Sequence, residues 1–339
     1  METIWFCVVA VMVAVYVVLD GFDLGAGILH PFLAKTDAER RAVLASIGPV
    51  WDGNEVWLLA GGGTLYFAFP ALYAAGFSGF YLPLMMVLWL LILRGISIEF
   101  RNHIDSPVWQ PLWDMVFCGA SALLAIFFGA ALGNVVRGVP LDRSGYFFLP
   151  LWTDFSIGRE VGILDWYTVL VAVAAFLALA EHGALWIALK TRGDLEQRAR
   201  RAASRLWWGV LAAVVIITLA SFAVQPHLKE SFGSRPWGYI FPLVAVIGLS
   251  MMKIFSGLRA FLGSCIFLTG MLTSVVFGVY PYVLPSNGDP ALSLTVHNAS
   301  AAPYGLSVGL VWFIPGILLA TGYFVYTYRS FAGKVGPSE

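Results

Sequence analysis

Val50-Trp51-Asp52-Gly53-Asn54-Glu55-Val56-Trp57 sets two carboxylates and an amide at the mouth of an apolar run, and the residues that follow, 58–75, carry no charge. Asp20-Gly21-Phe22-Asp23-Leu24-Gly25 does the same at the end of an earlier apolar run. An acid held ionised inside a membrane span costs roughly 2.5–3.5 kcal/mol on insertion scales, so acids retained there are read first as functional. Proton handling is the chemistry that most often needs them.

The rest of the chain supplies the membrane setting. It has 339 residues, of which 59% are hydrophobic and 12% charged, against about 25% charged in a soluble domain. Such a chain cannot cover a water-facing surface. Its zero net charge argues against a nucleic-acid partner. Cys7, Cys118 and Cys265 lie far apart in apolar runs, with no spacing that suggests a disulfide framework or a zinc site; no metal site is expected. Residues 4–19 lack a preceding basic region and a cleavage site, and read as a retained span rather than a signal peptide.

A span needs about 20 mostly apolar residues. Nine candidates follow, at 4–30, 48–69, 73–98, 112–135, 162–189, 206–225, 238–256, 260–284 and 305–328, and the fold class is all-α polytopic membrane protein. With nine crossings, 15 of the 20 Lys and Arg fall on one side; Arg137, Arg143, Arg159, Lys229 and Arg235 fall on the other. Basic residues mark the cytoplasmic side, so the N-terminus is expected outside and the C-terminus in the cytoplasm. The polar stretch 190–205 reads as a cytoplasmic helical link between a first block, 1–189 (its first four spans within 1–135), and a second, 206–339. The outer loops at 136–160 and 285–303 are too short to be domains. Trp and Tyr gather near predicted span ends, as an interfacial belt requires.

Asp20 and Asp23, three residues apart, share a helix face, as do Asp52 and Glu55. Gly21, Gly25 and Gly27 on one run and Gly61, Gly62 and Gly63 on the other allow close helix approach. The expected picture is two tightly packed helices with facing carboxylates; crowded, desolvated carboxylates exchange protons near neutral pH. The plainer reading makes Asp20 a cap and leaves the other acids hydrogen-bonded at the membrane boundary. Arg94 either neutralises one of these acids or, like Arg101, snorkels to the cytoplasmic edge. Glu99 closes the third span. Glu181 and His182 form the most deeply placed titratable pair, suited to a proton relay, a quinone hydrogen bond, haem ligation or a purely structural bond. His30, His103, His227 and His297 read as surface residues. No phosphate loop or catalytic triad appears, which argues against an ATP-driven pump.

Several ordered motifs extend this reading. They are Asp20-Gly21-Phe22-Asp23-Leu24-Gly25, Thr36-Asp37-Ala38-Glu39-Arg40-Arg41, Trp51-Asp52-Gly53-Asn54-Glu55-Val56-Trp57-Leu58, Phe69-Pro70-Ala71-Leu72-Tyr73-Ala74 and Phe77-Ser78-Gly79-Phe80-Tyr81. Three more are Leu93-Arg94-Gly95-Ile96-Ser97-Ile98-Glu99-Phe100-Arg101, Gly133-Asn134-Val135-Val136-Arg137-Gly138-Val139-Pro140 and Tyr280-Pro281-Tyr282-Val283-Leu284-Pro285-Ser286. Together they resemble subunit II of the cytochrome bd-type quinol oxidases, most densely over 18–140.

The resemblance implies nine membrane helices arranged as two four-helix bundles plus one peripheral helix. It implies a partner, subunit I, carrying two haems b, one haem d and the quinol loop, in a bacterial or archaeal cytoplasmic membrane. Such a complex oxidises quinol, reduces dioxygen to water with protons from the cytoplasm, and charges the membrane without pumping. Subunit II would hold no redox centre of its own; it would stabilise subunit I and contribute a proton path and, in some members, a structural quinone. A small accessory subunit joins some such complexes. By motif, Asp52 matches the acid of a Trp-Asp-Gly-Asn sequence on that path. Asp20 and Asp23 match the acids of a Gly-Phe-Asp-x-Gly motif, and Glu99 stands where some relatives have aspartate. Glu55 completes the expected proton pathway, with Arg94 as its charge partner; His182 matches no motif. The chain is shorter than some relatives in the loop between spans six and seven. A proton-coupled secondary transporter is the alternative, since mid-membrane carboxylates suit that class too. A haem-binding cytochrome is a third reading, which would rest on His182.

Overall fold

A computed structural model of the chain describes residues 1–158 and 160–335. Arg159, one of the five basic residues expected on the outer side, lies outside them. Twelve α-helices carry the fold among the described residues. The first six are α1 (Glu2–Leu33), α2 (Asp37–Ile47), α3 (Trp51–Ala68), α4 (Pro70–Gly79), α5 (Tyr81–Phe100) and α6 (Trp109–Arg137). The others are α7 (Trp166–Lys190), α8 (Gly193–Val224), α9 (Pro226–Ser234), α10 (Ile240–Ile254), α11 (Leu258–Val279) and α12 (Pro303–Ser330). Among the described residues, eight are long and apolar enough to cross a membrane: α1, α5, α6, α7, α8, α10 with the short turn before it, α11 and α12. The second expected span is α3, whose 18 residues include Asp52 and Glu55 and which falls outside those eight.

Local chemistry sets the boundaries. The third expected span, 73–98, is two helices, because Pro83 in the first turn of α5 has no N–H to donate back to Gly79. A proline is tolerated at a helix start, and Pro70, Pro226 and Pro303 open α4, α9 and α12 in the same way. α2 begins on a capping box: the Thr36 hydroxyl accepts from the Glu39 N–H while the Glu39 carboxylate accepts from the Thr36 N–H. Asp165 caps α7, accepting from the N–H groups of Tyr167 and Thr168 at 2.7 and 2.9 Å. The polar stretch 190–205 is continuous with the sixth span: after a break at Thr191 and Arg192, α8 runs unbroken from Gly193 to Val224.

α1 lies at the centre, packed on α3, α6, α7 and α11; α6 bridges α5 and α7, α7 packs on α8, and α10 on α11. Helices in lipid gain little from hiding apolar surface, so close backbone approach carries the packing. A Cβ on Gly25 would fall on the Leu179 carbonyl, and one on Gly183 would fall on the Gly25 backbone, so α1 and α7 meet main chain to main chain. α12 is peripheral, with Leu306 as its buried residue. Residues from the loops after α6 and α11, including a two-strand ladder of β1 (Tyr282–Leu284) and β2 (Leu294–Thr295), build a small core of Phe147, Leu149, Val161 and Val296 over one end of the helices.

Candidate functional site

Asp20 lies in the middle of α1, far from either end, which rules out the capping role. Arg94 of α5 reaches it with two parallel bonds, Nη1–H to Oδ2 at 2.9 Å and Nη2–H to Oδ1 at 2.6 Å. Nη2 also donates to Oε2 of Glu55 on α3 at 2.9 Å. Arg94 and Asp20 are wholly buried and Glu55 largely so. Of the two readings open for Arg94, neutralisation is the one observed.

One turn of α1 on, Asp23 is also fully buried. Its Oδ2 accepts from the Asn54 amide at 2.7 Å, and Oδ1 has no partner among the described residues. Asn54 donates a second bond to the Leu19 carbonyl at 3.2 Å and accepts at Oδ1 from the Tyr328 hydroxyl of α12 at 2.7 Å. Asp20 and Glu55 thus share one guanidinium, with Asp23 one turn of α1 away. That arrangement can hold or pass a proton, because full ionisation leaves it two negative charges in excess in a low-dielectric setting.

The other two expected acids stand apart. Asp52 is exposed in the first turn of α3, where a negative charge suits the helix dipole. Glu99 is exposed at the end of α5, and its contact with His103 is through its backbone carbonyl. Glu181 and His182 are both buried but point to different neighbours. His182 donates from Nε2 to the Val18 carbonyl at 2.9 Å, bonds the Ser264 hydroxyl through Nδ1 at 2.6 Å, and stacks on Phe261. Both ring nitrogens are taken, so ligation of a haem by His182 would break one of these bonds.

Two further polar clusters escaped the sequence reading. Asp114 on α6 accepts from Arg101 at 2.5 Å and Arg40 at 2.8 Å, and bonds His30 at 2.6 Å. His30, expected at the surface, is fully buried, and Arg101, offered as a snorkelling residue, is 1% exposed. These side chains tie α1, α2 and α6 to the end of α5. In the other cluster, Arg137 bonds Asp165 and Asn134, joining the end of α6 to the cap of α7. The available signal was the lone Asp114 and Asp165, each an acid at the start of an apolar run. Among the described residues, no group of three or more His, Cys, Asp or Glu side chains could hold a metal ion.

An apolar cleft of about 720 Å³ opens beside the acid cluster, lined by Val13, Tyr16, Trp57, Leu65, Val87 and Phe128 among others. The Tyr16 hydroxyl and the Trp57 indole N–H are buried without partners among the described residues.

The family model described as "Cytochrome bd terminal oxidase subunit II" matches residues 1–331. The chain belongs to this family. It is 32% identical to "Probable cytochrome oxidase subunit 2" of Haemophilus influenzae, with 98% of this chain and 94% of that one covered. It is 31% identical to "Cytochrome bd ubiquinol oxidase subunit 2" of Bacillus subtilis, over 100% of this chain and 98% of the relative. The corresponding bd-I subunit of Escherichia coli K12 is 30% identical over 94% and 92%. A chain of the bd oxidase from Geobacillus thermodenitrificans superimposes with a TM-score of 0.73 over 97% of this chain and 98% of its own, at 18% identity; the fold is shared. As a bd oxidase subunit II, the chain is one part of a terminal oxidase complex in the cell membrane, and a subunit I is its implied partner.

Proposed function

We propose that this subunit II serves a quinol:dioxygen oxidoreductase by stabilising a haem-bearing subunit I and by carrying protons from the cytoplasm towards it. The observation that carries the second role is the cluster of Asp20, Asp23 and Glu55: Asp20 and Glu55 bond Arg94, and Asp23, fully buried like Asp20, stands one turn away. Asp52, exposed one turn before Glu55 on α3, is the group from which protons enter; Asp23, with a free oxygen, is the one that holds them. Glu99 collects protons at the end of α5. Quinol oxidation and dioxygen reduction belong to the haems b and d of the partner, in an electrogenic complex that does not pump. Nothing in the described geometry favours the transporter alternative over family membership across nearly the whole chain.

Nine crossings suit this role, with α3 as the ninth. Its 18 residues span about 27 Å at 1.5 Å per residue, close to the hydrocarbon thickness. α1, α3, α5 and α6 then form one four-helix bundle, α7, α8, α10 and α11 the other, and α12 the peripheral helix. The bundles then divide between α6 and α7 rather than at 190–205, which is a cytoplasmic link inside the second, with the N-terminus outside and the C-terminus cytoplasmic. The residues lining the apolar cleft fit a structural quinone: the volume suits an isoprenoid chain, and the unpartnered Tyr16 hydroxyl and Trp57 N–H would hold the ring carbonyls. Such a quinone would brace the bundle and offers no step of its own. A small accessory subunit would meet the complex elsewhere.

The test is purification with the partner subunit, followed by the reduced-minus-oxidised spectrum and quinol-driven oxygen consumption. Asp52→Asn and Asp23→Asn should leave assembly and the haem bands intact and slow oxygen consumption. Full turnover with normal proton uptake in both variants would place the proton route in the partner.

A further inference from the structure

Glu181 is the buried acid for which the proposed proton path has no use. It is 1% exposed, and its Oε2 has no hydrogen-bond partner among the described residues. The next residues of α7, His182 and Gly183, face α1. Glu181 instead begins a stripe with Leu185 and Ala188, four and three residues apart, that lines a separate cavity of about 170 Å³ against α8 and the α10–α11 turn. The rim of this cavity is polar and exposed: Arg200 and Ser204 from α8, Lys253 from α10 and Ser256 from the turn.

The charged groups facing Glu181 are the two rim cations, and each is already engaged. Arg200 holds Glu196 at 2.7 Å. The Lys253 ammonium sits 5.0 and 4.9 Å over the rings of Trp207 and Trp208. Gly257 and Ala260 bring no charge from the α11 side. A carboxylate left buried without a partner is costly. The groove above it is polar and has room for several waters at about 30 Å³ each, while a metal or organic cation would have to pass Arg200 and Lys253 to enter.

We infer that Glu181 is a second proton-binding carboxyl group, exchanging with water at the Arg200–Lys253 end of the molecule through this inlet. The proton passes from a hydronium in the cavity to a carboxylate oxygen of Glu181 and returns to water on release, with no other bond made or broken. The site is separated from the Asp20 cluster by the body of α7 and does not rest on the role given to that cluster.

Infrared difference spectroscopy on the intact complex tests it. The acid-minus-alkaline spectrum of the wild type should contain a carboxylic C=O band that shifts on transfer to D₂O. Glu181→Gln should remove that band, and Glu181→Asp should keep it at an altered frequency. Ser204→Trp, or Ser256→Phe should the first fail to assemble, fills the inlet and should slow the deuterium shift at least tenfold. An identical difference spectrum in Glu181→Gln overturns the assignment of the proton. Unchanged exchange in an assembled inlet variant overturns the route.

Discussion

Arg94 and Asp20 make a two-pronged ion pair between α5 and α1 from which water is wholly excluded. The planar guanidinium matches the carboxylate edge to edge, and its second nitrogen also serves Glu55. A lysine has no such fork. Breaking a buried pair from one side costs about 3–5 kcal/mol, because the remaining charge loses its only compensation. Arg94→Leu should therefore sharply lower the yield and thermal midpoint of the assembled complex, with Arg94→Lys intermediate. Removing both charges, as in Asp20→Leu with Arg94→Leu, should recover much of the loss. A double variant whose destabilisation equals the sum of the singles would mean that the pair is not a unit.

The approach of α1 to α7 gives a steric prediction. Gly183 has the Gly25 and Ala26 backbone where its Cβ would stand. Neither main chain can yield without separating the helices, and overpacking of this kind costs about 1–3 kcal/mol or more. Gly183→Ala should lower the thermal midpoint in detergent, whereas Gly62→Ala, with open space around it, should leave it unchanged. Equal midpoints for the two variants would show that the helices do not meet at Gly25 and Gly183.

How much of this was legible beforehand depends on the range of the interaction. Asp20, Asp23 and Glu55 announced themselves because helical spacing and an apolar background are local properties, and the glycines beside Asp23 signalled close packing. The partner of Arg94 was not local: Asp20 lies 74 residues away, and only the packing of α5 beside α1 selects it over the cytoplasmic edge. The same holds for Tyr328 on Asn54, 274 residues distant. Asp52 and Glu55 show the limit of the periodicity argument. Three residues apart on one face, they are divided by the end of the helix, where the first turn still faces solvent. His30 was misjudged because a histidine at a span end looks like surface until a second helix brings Asp114 against it.

His182, for which the sequence left a relay, a quinone bond, a haem ligand and a structural bond open, makes the contacts expected of the last. Its ring links α7 to the α1 backbone and to Ser264 of α11, and it stacks on Phe261 at 5.0 Å. His182→Ala removes both hydrogen bonds, each worth about 0.5–1.5 kcal/mol, and leaves the Val18 carbonyl without this donor. The thermal midpoint should fall while the haem content per complex and the reduced-minus-oxidised spectrum stay as in the wild type. Loss of one haem signal from otherwise assembled His182→Ala complex would reverse this reading and make the side chain a ligand.

Glu39 carries a pH dependence outside the membrane-spanning helices. Its partial burial works to raise the carboxyl, but the Lys35 N–H, the Arg198 guanidinium and the Thr36 N–H outweigh it and hold the group below its ordinary 4.5. The backbone bonds are 2.6 Å from Lys35 and 3.3 Å from Thr36, and Arg198 ties the start of α2 to α8. A group whose folded value lies below its unfolded one adds stability that is fully present above the unfolded value and is lost as pH falls through the folded one. The start of α2 should therefore stay protected at neutral pH and loosen below about pH 4.5. Hydrogen exchange at the Lys35 and Thr36 amides, corrected for intrinsic rates, should show that acid step in the wild type. In Glu39→Gln the amides should exchange faster at neutral pH with no such step. A step of the same size in the Gln variant would assign the acid sensitivity to another carboxylate.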